Sequence, residues 1–251
     1  MSTSCDVVPL ILAVVGEDWA GDFLAGAVTA RGWPADGITK AAGACTDIVA
    51  TTSFDGRARL MAVPTEKVSR KFLPRDLQLT ARLCMAYDVS LAWVVGYLLE
   101  NYEASVAEAI RDHFRQLREL GIPKVLDLVP HDFLAKVGPL GEVEADVGPI
   151  DVVVGEYATL TDLGFGPAPP GPVGHDVGGA MAGMLACARS AARGRLGAVV
   201  QHRITNDAYG QAVVGRHAGE LTMLRPVPES GPRGTGDALA VQALRALRLL
   251  P

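Results

Sequence analysis

The segment Gly234-Thr235-Gly236-Asp237 leads directly into Ala238-Leu239-Ala240-Val241-Gln242-Ala243-Leu244-Arg245-Ala246-Leu247, whose apolar residues recur at helical spacing. A glycine loop that enters a helix leaves the first N–H groups of the helix without partners and faces the positive end of the helix dipole. Such a helix start suits an anion. The Asp237 carboxylate then fits either of two roles. It can be a base that takes a proton from an attacking hydroxyl, or it can form an ordinary helix cap together with Thr235.

Apolar runs alternate with helical patterns through the rest of the chain, which predicts α/β structure with a mostly parallel sheet, helices on both faces and ligand loops at the carboxyl ends of the strands. The first helix is expected to follow the strand that ends at Val15 and to stop at Gly32. Asp176 is expected to cap a later helix. The predicted strands are 7–15, 89–95, 124–129, 150–154 and 196–200, with a final hairpin over 212–214 and 221–224, and the other helices are 102–120 and 178–193.

Two β-type runs, 46–53 and 57–63, flank Asp55-Gly56 and predict a hairpin, since Asp-Gly between β-type segments is a strong turn signal. Incomplete alternation of apolar and polar residues indicates that this hairpin is partly exposed. We therefore predict a small β lid over 45–63, within a single α/β domain that spans 1–251.

The composition limits the classes of function. The 251 residues are 49% hydrophobic and 20% charged, with a net charge of −5, which is typical of a well-buried globular protein. A basic stripe is missing, so a nucleic-acid partner is not expected. Apolar runs are too short for a membrane span, and the four scattered cysteines indicate reduced, mostly buried thiols. A cytoplasmic protein without a membrane partner is predicted.

Taken in order, several segments resemble the PfkB, or ribokinase-like, family of sugar and nucleoside kinases. The resemblance covers the chain from about residue 5 to its last residue. It rests on 15–22 with the Gly32-Trp33 turn, the hairpin around Asp55-Gly56, the strand at 124–129, the segment 151–156, and Gly234-Thr235-Gly236-Asp237.

The resemblance implies a three-layer α/β/α sandwich with a small β lid. It also implies phosphoryl transfer from ATP, with Mg²⁺, to a hydroxyl group of a sugar or nucleoside. In these terms Asp237 corresponds to the catalytic base of the family. The amides of Gly234, Thr235, Gly236 and Asp237 correspond to its anion hole.

Further candidate residues follow from position along the chain. Glu156, in the segment that stands where the family has Asn-x-x-Glu, is a candidate to reach a metal ion through a water molecule. Candidates for nucleotide binding, from the segment where the family has a glycine-rich turn, are Arg203, Thr205 and Gly210; candidates for substrate binding, at strand ends, are Asp18, Tyr97 and His131. His113 is placed on the charged, solvated side of its helix.

Some features depart from the family pattern. The opening strand and sugar-binding residues of the family have no counterpart before Cys5, and both signature positions of Asn-x-x-Glu are changed, to Gly155 and Ala158. Glycines are few after Val200, and 14 residues follow Asp237. These departures leave ATP and Mg²⁺ binding open and favour an alternative, a non-catalytic family member that acts as a binding or assembly subunit. An uncovered sheet edge further predicts a homodimer.

Overall fold

The computed structural model describes residues 7–46, 48–54, 57–63, 81–96, 104–128, 140–168, 176–205, 208–226 and 235–249. The chain divides into two compact units, Met1–Val89 with Asn101–Gln116 and Ser90–Glu100 with Leu117–Pro251. The expectation of a single domain over 1–251 stays a prediction.

The first unit contains a short parallel pair and a hairpin. Its elements are β1 (Ala13–Gly16), α1 (Trp19–Ala30), β2 (Ile38–Ala41), β3 (Ile48–Phe54), β4 (Arg57–Val63) and the greater part of α2 (Ala104–Glu119). Strands β1 and β2 pair in parallel, and β3 and β4 pair antiparallel from Ile48 opposite Val63 to Phe54 opposite Arg57. The predicted hairpin is therefore confirmed, and its role as a lid stays a prediction.

Helix α1 follows the predicted strand and ends next to Gly32, as the sequence predicts, but it begins earlier than expected, at Trp19. Asp18 is its N-cap, and its carboxylate accepts a hydrogen bond from the N–H of Gly21. Gly32, with φ of 71°, follows the end of the helix in the left-handed region that glycine tolerates. The strand before the helix is shorter than predicted, beginning at Ala13 and not at Val7. Strand β2 was not predicted, because four residues next to glycines give no clear periodicity.

The second unit is built on a six-stranded sheet. Its remaining elements are β5 (Ala92–Val95), β6 (Lys124–Leu128), α3 (Leu140–Val147), β7 (Val152–Glu156), α4 (Tyr157–Asp162), α5 (Val177–Ala191), β8 (Gly197–Thr205), β9 (Ala208–Gly215), β10 (Gly219–Pro226) and α6 (Thr235–Ala246). The strand order is β10-β9-β8-β7-β6-β5. Strands β5 to β8 are parallel, and β9 and β10 are added antiparallel.

Alternation along these strands separates the two faces of the sheet. On one face, called here the α6 face, the valine row Val154, Val199 and Val213 packs against α6. On the opposite face a Cβ at Gly155 would contact Leu160 of α4, and a Cβ at Gly210 would meet Met181 of α5. Helices therefore cover both faces, which confirms the predicted α/β class with a mostly parallel sheet.

Helix α3 was not predicted, and it supports the sheet through an ion pair. The Nε of Arg195 lies 3.1 Å from Oε1 of Glu144, and its Nη2 pairs with Oε2 of the same carboxylate. Glu144 Oε1 also accepts a hydrogen bond of 3.1 Å from the N–H of Ile150, just before β7. A planar guanidinium and a carboxylate that meet in this two-pronged way fix their relative orientation. The helix is thereby tied to the turn that opens β8.

His113 departs from the sequence expectation. Only 6% of its surface is exposed, and its Nδ1 has no hydrogen-bond partner within the part of the chain that the structure describes. Burial lowers the pKa of His113 to about 4, because a charged imidazole loses its hydration there. The placement on a solvated helix side was wrong, since the flanking charges on α2 masked a buried position.

This burial predicts loss of stability in acid. The pKa of His113 is lower in the folded chain than the unfolded value of about 6.5, so folding favours the neutral imidazole. Above pH 6.5 the imidazole is neutral in both states, and the contribution of the neutral ring to the free energy of unfolding is fully present. As the pH falls from about 6.5 toward 4, up to about 3 kcal/mol is lost. Urea unfolding across this range should show a weaker pH dependence for His113→Leu. The exposed His217 supplies the control, and an equal change in His217→Gln would contradict the prediction.

The contact between α5 and Tyr157 depends on a glycine. A Cβ at Gly183 would lie 2.0 Å from the Tyr157 Oη, and Tyr157 is fully buried. We expect Gly183→Ala to lower the free energy of unfolding by about 1–3 kcal/mol, because a buried ring must move. Gly178 of the same helix is the matched control, since its nearest neighbour would be 3.7 Å away. Gly178→Ala should be neutral or stabilising in urea unfolding, and equal losses in both variants would refute the packing argument.

Candidate active site

The parallel strands of the second unit all end at one edge of the sheet, called here the carboxyl edge. Leu128 of β6 lies opposite Gly155 of β7, and Glu156 lies opposite Gln201 of β8. Strand β8 continues beyond β7 to Thr205, and β9 begins beside it at Ala208. In sheets of this kind the loops at the carboxyl ends form ligand sites.

Helix α6 begins at this same edge. Leu247, just after the helix, lies where Cβ atoms at Gly197 and Gly215 would contact it, at the opposite end of β8 and β9. Twelve helical residues span about 18 Å, and Ala240, Ala243 and Leu244 pack along the sheet between the two ends. The first turn, with the backbone of Thr235, Gly236 and Asp237, therefore lies toward the carboxyl edge with its N–H groups directed out of the helix start.

Four candidate residues come together along this edge. Glu156 is the last residue of β7, and it is exposed. Arg203 is exposed and lies opposite Tyr209, and Thr205 lies opposite Ala208. Gly210 is buried opposite His202, and a Cβ there would lie 2.7 Å from Ile204 Cγ1 and 2.8 Å from Met181 Sδ. Gly210 thus has a packing requirement of its own, and its contact with a nucleotide stays a prediction.

The local structure around these residues differs from the implied glycine-rich turn. Strands β8 and β9 take up the segment 201–210 except for residues 206 and 207, and the register shifts between Arg203 and Thr205. Side chains of a strand alternate between its faces, so these positions present side chains to both sides of the sheet. Residues missed by sequence reasoning, Tyr209, Gln211 and Arg225, belong to the same strand ends. The face of the sheet on which each of these residues lies can be assigned only once the limits of the strands are known.

Two polar rows cross the α6 face near the carboxyl edge. Glu156, Gln201, Gln211 and Met223 lie opposite one another on β7 to β10, one step beyond the valine row. Gln201 and Gln211 are buried. Arg203, Tyr209 and Arg225 form the next row. The face therefore changes from apolar to polar in the direction of the α6 start.

On the opposite face, His202 and Tyr157 lie edge to face with their ring centres 5.7 Å apart. Burial lowers the pKa of His202, and the Glu156 carboxylate partly opposes this shift. Burial also raises the pKa of Tyr157, whose Oη has no hydrogen-bond partner among the residues described. Desolvation thus favours the neutral forms of both rings, whereas Arg203, Arg225 and Glu156 are exposed charged groups at the strand ends.

Asp18, a predicted substrate ligand, lies in the first unit and holds the loop after β1. Its Oδ1 accepts hydrogen bonds from Gly21 N–H and Thr46 Oγ1, both at 2.8 Å, and its Oδ2 accepts one of 2.6 Å from Thr46 N–H. The N–H of Gly16 donates to Thr46 Oγ1 at 2.9 Å. The Gly21 N–H, then the Thr46 donors, hold the pKa of Asp18 below its usual value. The carboxylate therefore has a structural role, and substrate binding by it stays a prediction.

Comparison with solved structures gives consistent neighbours. A PfkB protein from Polaromonas sp. JS666 superposes with a TM-score of 0.64 at 17% identity, over 95% of this chain and 75% of that one. A putative ribokinase II from E. coli, in complex with ATP and Mg²⁺, gives 0.65 at 17% identity, over 97% and 74%. Adenosine kinase from Sinorhizobium meliloti gives 0.64 at 17% identity, over 94% and 64%. The chain has the ribokinase-like fold.

The predicted three-layer ribokinase-like class is thus confirmed, and so is the resemblance to the PfkB family at the level of the fold. These neighbours include a putative ribokinase and an adenosine kinase. No protein-family model matches the sequence, and a search of curated proteins finds no significant match. At such low identity the likeness is one of architecture, so the chemistry has to be argued from the residues of this chain.

Among the described strand ends of this ribokinase-like chain, Glu156 offers an exposed carboxylate that a metal ion could approach. Within the described ranges, no three His, Cys, Asp or Glu side chains lie close enough together to hold a metal ion. Mg²⁺ is commonly held by one or two carboxylates together with substrate phosphates. The Glu156 carboxylate is compatible with Mg²⁺ binding of this kind, in which substrate phosphates supply further ligands.

Several other predictions lie partly or wholly outside the described residues. Tyr97, His131 and Gly234 fall outside them, and for Thr235, Gly236 and Asp237 the description covers the helical backbone. The three cysteines described are free; Cys84 and Cys187 are buried, as expected, and Cys45 is exposed. Across the described ranges, no helix has the length and hydrophobicity needed to cross a membrane.

A variant of Thr46, the hydrogen-bond partner of Asp18, can distinguish the structural role of Asp18 from a role in substrate binding. Thr46→Val removes the acceptor of the buried Gly16 N–H and one donor to Asp18, and an unsatisfied buried N–H costs about 1–3 kcal/mol. We expect Thr46→Val and Asp18→Asn both to lower the thermal unfolding midpoint. A role of Asp18 in substrate binding would appear as a KM increase in Asp18→Asn that Thr46→Val does not share. Unchanged midpoints in both variants would contradict the structural role.

Proposed function

We propose that this chain is a kinase that transfers the γ-phosphoryl group of ATP to a hydroxyl group of a small molecule of the sugar or nucleoside class. The position of the α6 start at the carboxyl edge carries the proposal. The glycine-rich segment that leads into α6 provides a site for an anion, and Asp237 provides a carboxylate at the same helix start. The ATP and Mg²⁺ complex of a structural neighbour supports the choice of phosphoryl donor.

Phosphoryl transfer asks the protein mainly for positioning and charge stabilisation. In the proposed reaction the acceptor hydroxyl attacks the γ-phosphorus, and its proton passes to the Asp237 carboxylate. The bond between the γ-phosphorus and the bridging oxygen breaks, and ADP leaves with that electron pair. The N–H groups of the first α6 turn stabilise the charge that develops on the transferred group.

The neighbouring strand ends supply the charged groups in this proposal. Arg203, exposed on β8, is assigned to the nucleotide phosphates, where a guanidinium forms charge-assisted hydrogen bonds. Thr205 and Gly210 are assigned to the same nucleotide. Bound Mg²⁺ would neutralise phosphate charge, and Glu156 would reach it through a water molecule. Tyr97 and His131 are assigned to the phosphate acceptor, and substrate binding by Asp18 stays a prediction from the sequence.

Asp237→Asn tests the base. An amide keeps the size of the side chain but cannot accept the proton, so kcat should fall by about 10²- to 10⁴-fold while ATP affinity is retained. Turnover is measured as ADP release in a screen of sugars and nucleosides, and ATP affinity by calorimetry. The control is Asp176→Asn at the start of α5, because asparagine can still cap that helix through Gly179 N–H. Asp176→Asn should keep full turnover.

Two results would overturn the proposal. Retained turnover in Asp237→Asn would show that another group takes the proton. Absence of Mg·ATP binding at millimolar concentration by the wild-type chain would remove the kinase function altogether, and the non-catalytic alternative would then replace it. A homodimer and a cytoplasmic location stay predictions from the sequence.

A further inference from the structure

The α6 face of β8, β9 and β10 is graded along the strands. Gly197 and Gly215 at one end pack under Leu247, followed by the valine row. Gln201, Gln211 and Met223 come next. The outermost row, at the carboxyl edge, is Arg203, Tyr209 and Arg225. The apolar residues of the core are thus replaced step by step by polar and charged residues toward the carboxyl edge.

The outermost row places an aromatic ring between two cations. Tyr209 is half-buried on the central strand of the three, while Arg203 and Arg225 are exposed on the strands to either side. Neighbouring strands lie about 4.8 Å apart, so the backbones of the two arginines are about 10 Å apart across the tyrosine. This spacing spans a planar ring of the size of a purine. A Tyr ring with adjacent guanidinium groups offers stacking and cation–π contacts to such a ring.

The side-chain amide of Gln211 has no hydrogen-bond partner among the described residues, and it lies in the row between Tyr209 and the valine row. Gln211 is 0% exposed, and within the described chain neither its Nε2 nor its Oε1 has a hydrogen-bond partner. Gln211 follows Tyr209 by two residues on the same face of β9, about 7 Å along the strand. Burying an amide with its hydrogen bonds unmade is unfavourable, so such a group in a folded protein calls for a ligand or water to complete it. Met223 opposite it offers only a weak sulfur acceptor.

Charge at the row favours a ligand that carries phosphate together with an aromatic ring. Arg225 Nη2 lies 3.4 Å from the Met223 sulfur, so its guanidinium is held back over the face of β10. The phosphate-binding helix start proposed for α6 adjoins the same edge. A nucleotide whose phosphates occupy that start would direct its base along the edge of the sheet.

We propose that the Arg203–Tyr209–Arg225 row binds the base end of the nucleotide, with the base stacked on Tyr209 and the edge of the base completing the Gln211 amide. This assignment rests on the proposed kinase function. A carboxamide offers a donor beside an acceptor, which matches the adjacent amino group and ring nitrogen of adenine. The two arginines lie on the strands to either side of Tyr209 and would flank the base.

Stacking of the base on Tyr209 is tested by comparing the binding of two ligands, ATP and inorganic tripolyphosphate. Base stacking on an aromatic side chain corresponds to a loss of about 5- to 150-fold in affinity on its removal. Tyr209→Leu should therefore weaken ATP binding in calorimetry by a factor in this range, and leave the binding of inorganic tripolyphosphate unchanged, since tripolyphosphate has no base. Tyr209→Phe keeps the ring and should bind ATP as the wild type does.

The flanking groups are tested with a matched arginine. Arg225→Gln should weaken ATP binding several-fold, whereas Arg216→Gln should not, because Arg216 is exposed at the other end of the same β9–β10 hairpin. Gln211→Met removes the unsatisfied amide at nearly constant volume. We expect it to raise the thermal unfolding midpoint of the unliganded chain and to reduce the further rise that saturating ATP produces.

The outcomes separate this inference from the proposed function. ATP binding by the wild type that is equally tight in Tyr209→Leu would overturn the base site and leave the kinase proposal intact. Parallel losses of ATP and tripolyphosphate binding in Tyr209→Leu would also overturn it, since the effect would then not come from the base. A wild-type chain that binds tripolyphosphate but not ATP would overturn both.

Discussion

The packing of α6 against the valine row of the six-stranded sheet fixes where the candidate site lies. Ala240, Ala243 and Leu244 present small and branched side chains to Val154, Val199 and Val213, and all of these are almost fully buried. Interiors of this density do not allow a helix to slide by part of a turn without loss of contacts. The start of α6 is therefore held at the carboxyl edge by apolar contacts that lie well away from it. The position of the first turn of α6 is therefore determined by contacts in the hydrophobic core.

Much of this architecture can be predicted from the sequence, because burial leaves long apolar signals. The strands around Val125, Val153 and Val199 contain runs of apolar residues, and Asp176 marks the start of α5. The final hairpin was predicted from the short runs 212–214 and 221–224, and it is present as β9 and β10, with Val213 opposite Leu221. Local patterns of this kind need no knowledge of the rest of the chain.

The errors have one physical origin, which is that exposure depends on partners remote in the sequence. His113 stands among charged residues on α2 yet is buried, because it shares a helix face with Ile110 and Leu117, and that face is covered in the folded chain. The strand ends of β8 and β9 are polar, so Gln201 to Gly210 did not read as strand, although Gln201 and Gln211 are both buried. For the candidate site, the roles of Asp237 and Arg203 are predictions from the sequence. The row that joins Arg203 to Tyr209 and Arg225 required the register of three strands.

The three strands that carry this row are joined by very short connections, residues 206–207 and 216–218, and pair antiparallel throughout. The parallel strands β5 to β8, in contrast, pair only after long crossovers that include helices. Pairings between residues close in sequence form with little loss of chain entropy, and distant ones form more slowly. The meander of β8, β9 and β10 can therefore assemble before the parallel part of the sheet is complete. Its polar rows would then form before α6 packs against the valine row beside them.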